Sequence, residues 1–226
     1  ASIAPGPRQV RLRVDAVALN YRDLSTVKAA AARGLTLPLV PCADAAGEVV
    51  EAGADVTGLA PGDRVVSCFF QRWSDGPCSP QAMASALGGA VDGVLADEVT
   101  LDADGVVKAP AHLDAAEAAT LTTAGVTAWN AVAHTAAMKP GETLLLLGTG
   151  GVSIFALQFA RLLGMRAIVT SKSDAKLERA RDLGAWATLN YVRRPDWDRA
   201  VLDLTGGAGV DATLEVGGAG TLPQSI

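Results

Sequence analysis

The chain has no run of basic residues, no paired-cysteine spacing, no internal repeat and no low-complexity tract. Its 19 Lys and Arg stand against 24 Asp and Glu, a formal net charge of −5. Without a basic patch, nucleic acid and anionic membranes are poor partners. The three cysteines (Cys42, Cys68, Cys78) form an odd set without CxxC spacing, which fits a reducing compartment and argues against a disulfide framework. Histidine is also scarce: His112 falls near Pro110 in a connection and His134 in an expected helix, so both read as structural or exposed. No signal peptide is visible, and a cytoplasmic location is the expectation. Ala1 in place of methionine implies a start that has been processed, trimmed or lost. Thr143–Ala160 carries no charge, as a membrane span would, but the glycines at its centre argue against one continuous helix.

What is present is a globular composition. Half of the 226 residues are hydrophobic, enough for one large core or two smaller ones. The first part reads as β-rich. Gln9–Leu19 alternates polar and apolar residues, and Ala45–Ala52, Asp63–Cys68 and the region Val94–Leu101 are further strands. A loop-rich excursion runs from Phe69 to Gly93, with Trp73 read as a buried structural residue ahead of a pocket wall. At Asp114 the period changes. Asp114 and Glu117 form a helix-start box, and apolar residues recur at helical spacing through Ala133. Strands then alternate with helices: strands at 143–148, 166–170, 187–190 and 210–216, helices near 151–163, 174–183 and 196–204. This alternation predicts a parallel sheet with right-handed crossovers. The boundary between the regions is expected near Ala111, giving domains 1–111 and 112–226.

Within the second region, an apolar strand breaks into Gly148-Thr149-Gly150-Gly151-Val152-Ser153 and a helical pattern follows. Strand, glycine turn and helix bring backbone N–H groups and a helix N-terminus against a pyrophosphate. The fingerprint is imperfect, because Ser153 replaces its last glycine, a position that serves close helix–strand packing. A second strand arriving at the expected distance supports the reading over that of a plain glycine-rich turn. At the end of that strand, where an NAD-preferring enzyme places an acid, stands Ser171, with Lys172 and Lys176 close by. Hydroxyl and ammonium donors suit a 2′-phosphate, so NADP(H) is favoured over NAD(H). Asp174 reads as a helix cap. A solvated helix end explains the same lysines and stays open.

Further segments carry a resemblance. They are Asn20-Tyr21-Arg22-Asp23-Leu24, Asp44-Ala45-Ala46-Gly47-Glu48-Val49-Val50, Pro61-Gly62-Asp63-Arg64-Val65-Val66, Ala118-Ala119-Thr120-Leu121, Ala124-Gly125-Val126-Thr127-Ala128-Trp129 and Asn190-Tyr191. In this order, with the glycine turn, the chain resembles the medium-chain dehydrogenase/reductase superfamily, nearest its zinc-independent alcohol dehydrogenase and quinone oxidoreductase branches. The resemblance implies an α/β protein in which a GroES-like β-rich domain precedes a Rossmann doubly wound parallel sheet, C-terminally truncated. It implies hydride transfer between a nicotinamide cofactor and an alcohol, carbonyl, quinone or enone, a small-molecule substrate, and a homodimer at full length. Zinc-type relatives bind metal through Cys, His and Cys. The matching positions here hold Asn20, Ala43 and Thr123, with Asp44 where a Glu would be, and no metal site follows.

Without zinc, substrate oxygen must be polarised by hydrogen bonds. Asn20, Tyr21 and Thr123 are the catalytic candidates, Tyr21 as donor or proton source, beside the alternative of a turn-capping Asn and a packed Tyr. Thr127 matches a position near the nicotinamide, with Thr123 one α-helical turn earlier. Tyr191 matches a tyrosine at the adenosine end, and Val216 and Gly217 belong to the loop after the fourth strand that family members place near the cofactor. Two further strands would complete such a sheet, so a fragment is expected. Two other readings stay open: a non-catalytic nucleotide-binding or crystallin-like protein, and an enoyl reductase of a polyketide pathway.

Overall fold

The computed structural model describes residues 4–226. The chain divides after Thr123 into two compact units.

The first unit holds one antiparallel sheet. Its strands are β1 (Gln9–Ala18), β2 (Asp44–Ala52), β3 (Arg64–Ser67), β4 (Glu98–Asp102) and β5 (Val106–Lys108), in the spatial order β4-β1-β2-β3-β5. The alternation in β1 turns Val10 and Leu12 into a core shared with Val49, Val65, Leu87, Val94 and Leu101. The β1–β2 register slips between Val14 and Ala16, opposite Gly47 and Ala46. A Cβ on Gly47 would run into the Arg13 carbonyl, so the two backbones meet here because residue 47 has no side chain. Two short helices join the strands, α1 (Tyr21–Ala29) and α2 (Pro80–Met83). A third, α3 (Ala115–Ala119), starts at the Asp114–Glu117 capping box and packs Ala118 and Ala119 on Ala46 and Val66. The region read as a strand from Val94 differs. Val94 is buried and its N–H donates to the Cys42 carbonyl, so the segment is tied to a loop, and the ladder begins only at Glu98. β5 was not foreseen, being too short for alternation to register. Trp73 is 44% exposed, its Nε1 donating to the Gly76 carbonyl, and is no core residue.

Helical winding continues past α3 with π geometry over Leu121–Gly125, then α4 (Val126–Trp129), then π geometry again over Asn130–Thr135. The second unit is a four-stranded parallel sheet of β6 (Thr143–Leu146), β7 (Arg166–Ser171), β8 (Ala187–Asn190) and β9 (Ala212–Leu214), ordered β8-β7-β6-β9. The helices are α5 (Gly151–Leu162), α6 (Asp174–Asp182), α7 (Trp197–Leu204) and the short α8 (Leu222–Ser225). β6 is apolar on both faces because both are covered. Leu144 and Leu146 pack with Ala156, Leu157 and Ala160 of α5, while Leu145 and Leu147 pack with Trp197 and Val201 of α7. Left-handed Gly164 and Gly184 end α5 and α6. The uncharged stretch from Thr143 is thus split between strand and helix. Among the described residues, no helix is long and apolar enough to cross a membrane.

Candidate functional site

Two groups of side chains carry the sequence-derived candidates, one in each unit. In the second unit, β6 ends at Leu146 and the chain turns through Gly148 at φ 76°, a left-handed conformation that favours glycine. Gly150 stands at the N-cap of α5, and the first helical bond runs from the Ile154 N–H to the Gly150 carbonyl at 3.0 Å. The amides of Gly151, Val152 and Ser153 precede it and have no helical carbonyl to bond. Nothing lies within 4 Å of where a Cβ would project from Gly148 or Gly150, so both glycines border open space. The Gly148 N–H is held by the Thr170 hydroxyl at 3.2 Å, which fixes the turn to the neighbouring strand. Ser153 is 1% exposed and its hydroxyl donates to the Leu147 carbonyl at 3.0 Å. It therefore packs helix against strand, and its side chain faces away from the open turn. A Cβ on Gly151 would lie 3.2 Å from the Ala124 side chain, so this position is set by packing as well.

The ends of β7 and β8 bring a second set together. Ser171 is 5% exposed, its hydroxyl accepting the Ser173 N–H at 3.3 Å, while Lys172 and Lys176 are exposed. The Tyr191 N–H reaches the Ser171 carbonyl at 3.3 Å, and its side chain is 38% exposed. Asp174 is not the cap of α6. Ser173 holds that place, accepting the Lys176 N–H, and Asp174 follows it as the first helical residue. The Asp174 carboxylate is occupied instead by the Asn190 amide at 2.7 Å and by the Arg193 guanidinium. Arg193, paired with this carboxylate, is a cation at the end of β8 that the sequence reading did not single out. No motif flagged Arg193. Only the β8 turn brings it alongside.

The loop after β9 is ordered from within. Glu215 accepts the Gly217 and Gly218 amides at 2.6 and 2.9 Å, the Thr221 hydroxyl at 2.8 Å and the Ser225 hydroxyl at 2.8 Å. Burial pushes the Glu215 carboxyl up, but these donors outweigh it and hold it below the usual range. The Gly217 amide is thus already committed, while Val216 is 52% exposed. Thr127 is exposed on α4. The π winding over Leu121–Gly125 departs from the α spacing by which Thr123 and Thr127 would face one side.

In the first unit the centre is Asp44, the first residue of β2, which is 1% exposed. Asn20 Nδ2 donates to its Oδ2 at 2.9 Å, and Thr123 Oγ1 and Thr122 Oγ1 donate to its Oδ1 at 2.6 and 3.1 Å. Burial raises the carboxyl above its usual range, and the three donors oppose that shift. Two of the three catalytic candidates, Asn20 and Thr123, therefore meet on a residue that sequence reading named only as a replaced glutamate. The third does not join them: Tyr21 is 86% exposed, and among the described residues its phenol bonds nothing. Next to the cluster, Arg22 stacks over the Phe69 ring at 4.5 Å and lies 3.8 Å from Asp23, and a side chain on Gly89 would strike it. Cys42 is buried at φ 71°, and burial together with Asp23 pushes its thiol up to about 11, which leaves it unreactive.

Zinc does not fit this donor set. One carboxylate faces an amide and two hydroxyls, each already giving it a hydrogen, whereas zinc takes thiolate, imidazole or carboxylate. Among the described residues, no three His, Cys, Asp or Glu side chains group as metal ligands. A dinucleotide does fit the second unit, because the open turn, the unbonded amides of α5 and the cations beyond β7 match its phosphates.

Comparison with known proteins places the chain among the dehydrogenases, zinc-type relatives included. Residues 6–111 match the family described as the alcohol dehydrogenase GroES-like domain, and residues 151–226 match that described as zinc-binding dehydrogenase. A zinc-type alcohol dehydrogenase-like protein of Schizosaccharomyces pombe is 46% identical over 97% of this chain and 64% of its own length. A crystal structure of an NAD-dependent alcohol dehydrogenase aligns with TM-score 0.89 at 36% identity, covering 100% of this chain and 67% of that one. The Escherichia coli quinone oxidoreductase complexed with NADPH aligns with TM-score 0.83 at 26% identity, over 100% of this chain and 63% of that one. The chain thus spans about two thirds of the length of the relatives it matches.

Proposed function

Because the chain belongs to the medium-chain dehydrogenase/reductase superfamily, we propose that it serves an oxidoreductase moving hydride between a nicotinamide dinucleotide and a small alcohol, carbonyl, quinone or enone. The single observation that carries this reading is the open turn at Gly148 and Gly150 before the unbonded amides of α5. In an open α/β sheet, ligands bind at the carboxyl ends of the strands, and this turn follows the carboxyl end of β6. The unit ending at Thr123, which includes the expected domain 1–111, forms the substrate domain, and the unit after it forms the dinucleotide domain. The protein is cytoplasmic and, at full length, a homodimer.

The preferred cofactor is NADP(H). Lys172 and Lys176 are exposed, Ser171 replaces the expected acid, and Asp174 is paired with Arg193. Gly151 and Val152 hold the pyrophosphate through their amides, and Ser171, Lys172 and Lys176 hold the 2′-phosphate. When bound, the nicotinamide supplies the hydride acceptor or donor. Proton handling falls to the chain. With no thiolate or imidazole set among the described residues, the reaction runs without zinc, the substrate oxygen being oriented by the Asn20 amide and meeting the Thr123 hydroxyl.

Fluorescence titration with NADPH and NADH tests the phosphate assignment. Lys172→Ala or Lys176→Ala weakens NADPH by roughly tenfold and NADH hardly at all, consistent with loss of one charge-assisted contact. Equal losses for both cofactors refute it. Turnover with an aldehyde and quinone panel survives chelators, and stoichiometric zinc in the purified protein contradicts the metal-free reading.

A further inference from the structure

We propose that Asp44 is the proton store of the substrate site and that Thr123 passes protons between it and the substrate oxygen, an inference that rests on the oxidoreductase reading. The argument starts from hydrogen counting. A threonine hydroxyl owns one hydrogen, and both Thr122 and Thr123 spend theirs on Asp44 Oδ1, Thr123 at 2.6 Å. While Asp44 is ionised, Thr123 offers only lone pairs outward. It can accept from a substrate hydroxyl but cannot donate to a carbonyl. Asn20 retains one amide hydrogen after bonding Oδ2, so it can still orient the substrate oxygen.

This arrangement suits a relay. In alcohol oxidation the substrate O–H bond breaks and its proton bonds to Thr123 Oγ1, while the original Thr123 proton moves to Asp44 Oδ1. The electron pair of the carbinol C–H bond leaves as hydride to the oxidised nicotinamide dinucleotide, which is the oxidant. The products are a carbonyl compound, reduced dinucleotide and neutral Asp44, whose proton returns through Thr123 to water once the product has left. Reduction runs the same steps backwards. The charged and titratable groups facing Asp44 are Asp23 and Arg22 of α1, Cys42 just before β2, and Cys68 just after β3. Burial and Asp23 favour a proton on Asp44, whereas Thr123, Asn20 and Thr122 favour its loss.

Thr123→Val and Thr123→Ser test the relay, since Asp44→Asn disturbs three hydrogen bonds and risks misfolding. Without cofactor, carbon-13 NMR of the Asp44 carboxyl should titrate at higher pH in Thr123→Val, because a bond favouring the ionised form is gone, and near the native value in Thr123→Ser. An unmoved midpoint in Thr123→Val overturns the proposal. In steady state, Thr123→Val loses about a hundredfold in kcat with cofactor affinity intact, and Thr123→Ser recovers most of it. Native turnover with unaltered Thr123→Val kinetics overturns the relay alone. Native protein that turns over no carbonyl or quinone with either dinucleotide overturns the oxidoreductase reading and the relay with it.

Discussion

At the residue scale, the first unit is governed by how a buried carboxylate is satisfied. Asp44 is raised from its ordinary 3.8 by burial, so the folded protein holds that proton more tightly than the unfolded chain. Its contribution to stability is therefore most favourable below 3.8 and declines as pH rises through the folded value. Urea unfolding across pH should show the native protein losing stability over that window, and Thr123→Val losing it over a wider one. A difference between the two that is constant with pH contradicts the assignment. Glu215 has the opposite sign. Although burial raises it, its donors hold it below 4.5, so its stabilisation is present above that value and lost as pH falls through the folded one. Glu215→Gln should flatten the acid limb, and an unchanged acid limb would count against the loop being held by this carboxylate. Asn20 and Thr123 were legible as candidates because the motifs around them are. Their meeting on Asp44 was not, since the Thr123 bond spans 79 positions and no local pattern encodes it. Tyr21 stands beside Asn20 in sequence, but as the first residue of α1 it is exposed and does not join the Asp44 cluster.

At the element scale, strand–turn–helix units were read well wherever hydrophobic period and punctuation agreed. β6, α5, β7 and α6 lie within a residue or two of expectation, because both faces of the sheet are apolar and glycines close the helices. The first unit was harder. Val94 is buried through a loop rather than a ladder, and the run after Asp114 contains π turns that a helical period cannot reveal. Glycines sort by element too. Gly47→Ala puts a methyl group against the Arg13 backbone between β1 and β2, and should destabilise the protein by about 1–3 kcal/mol or more in denaturant melts. Gly148→Ala meets open space but a left-handed backbone, at a cost of about 1–2 kcal/mol. A smaller loss at Gly47 than at Gly148 would mean that the strands part more easily than this packing implies.

At the scale of the whole molecule, two units with separate cores divide the work: one presents a polar cluster around Asp44, the other an open turn at the end of a parallel sheet. The order β8-β7-β6-β9 places β6 at the centre, with neighbours β7 and β9 on either side, so the turn after β6 lies at the middle of the sheet's carboxyl edge. Alternation and crossover handedness predicted the parallel sheet, whereas the order of its strands is legible only in the structure. Gly150 offers the sharpest test, since its φ of −76° suits any residue and nothing lies within 4 Å of an added Cβ. Gly150→Val should fold normally yet fill the space where a diphosphate approaches α5. In a fluorescence titration the account predicts saturable NADPH binding by the native protein and its loss in Gly150→Val, with matching unfolding midpoints. Equal NADPH affinity in the two proteins would contradict the claim that this turn is the cofactor site.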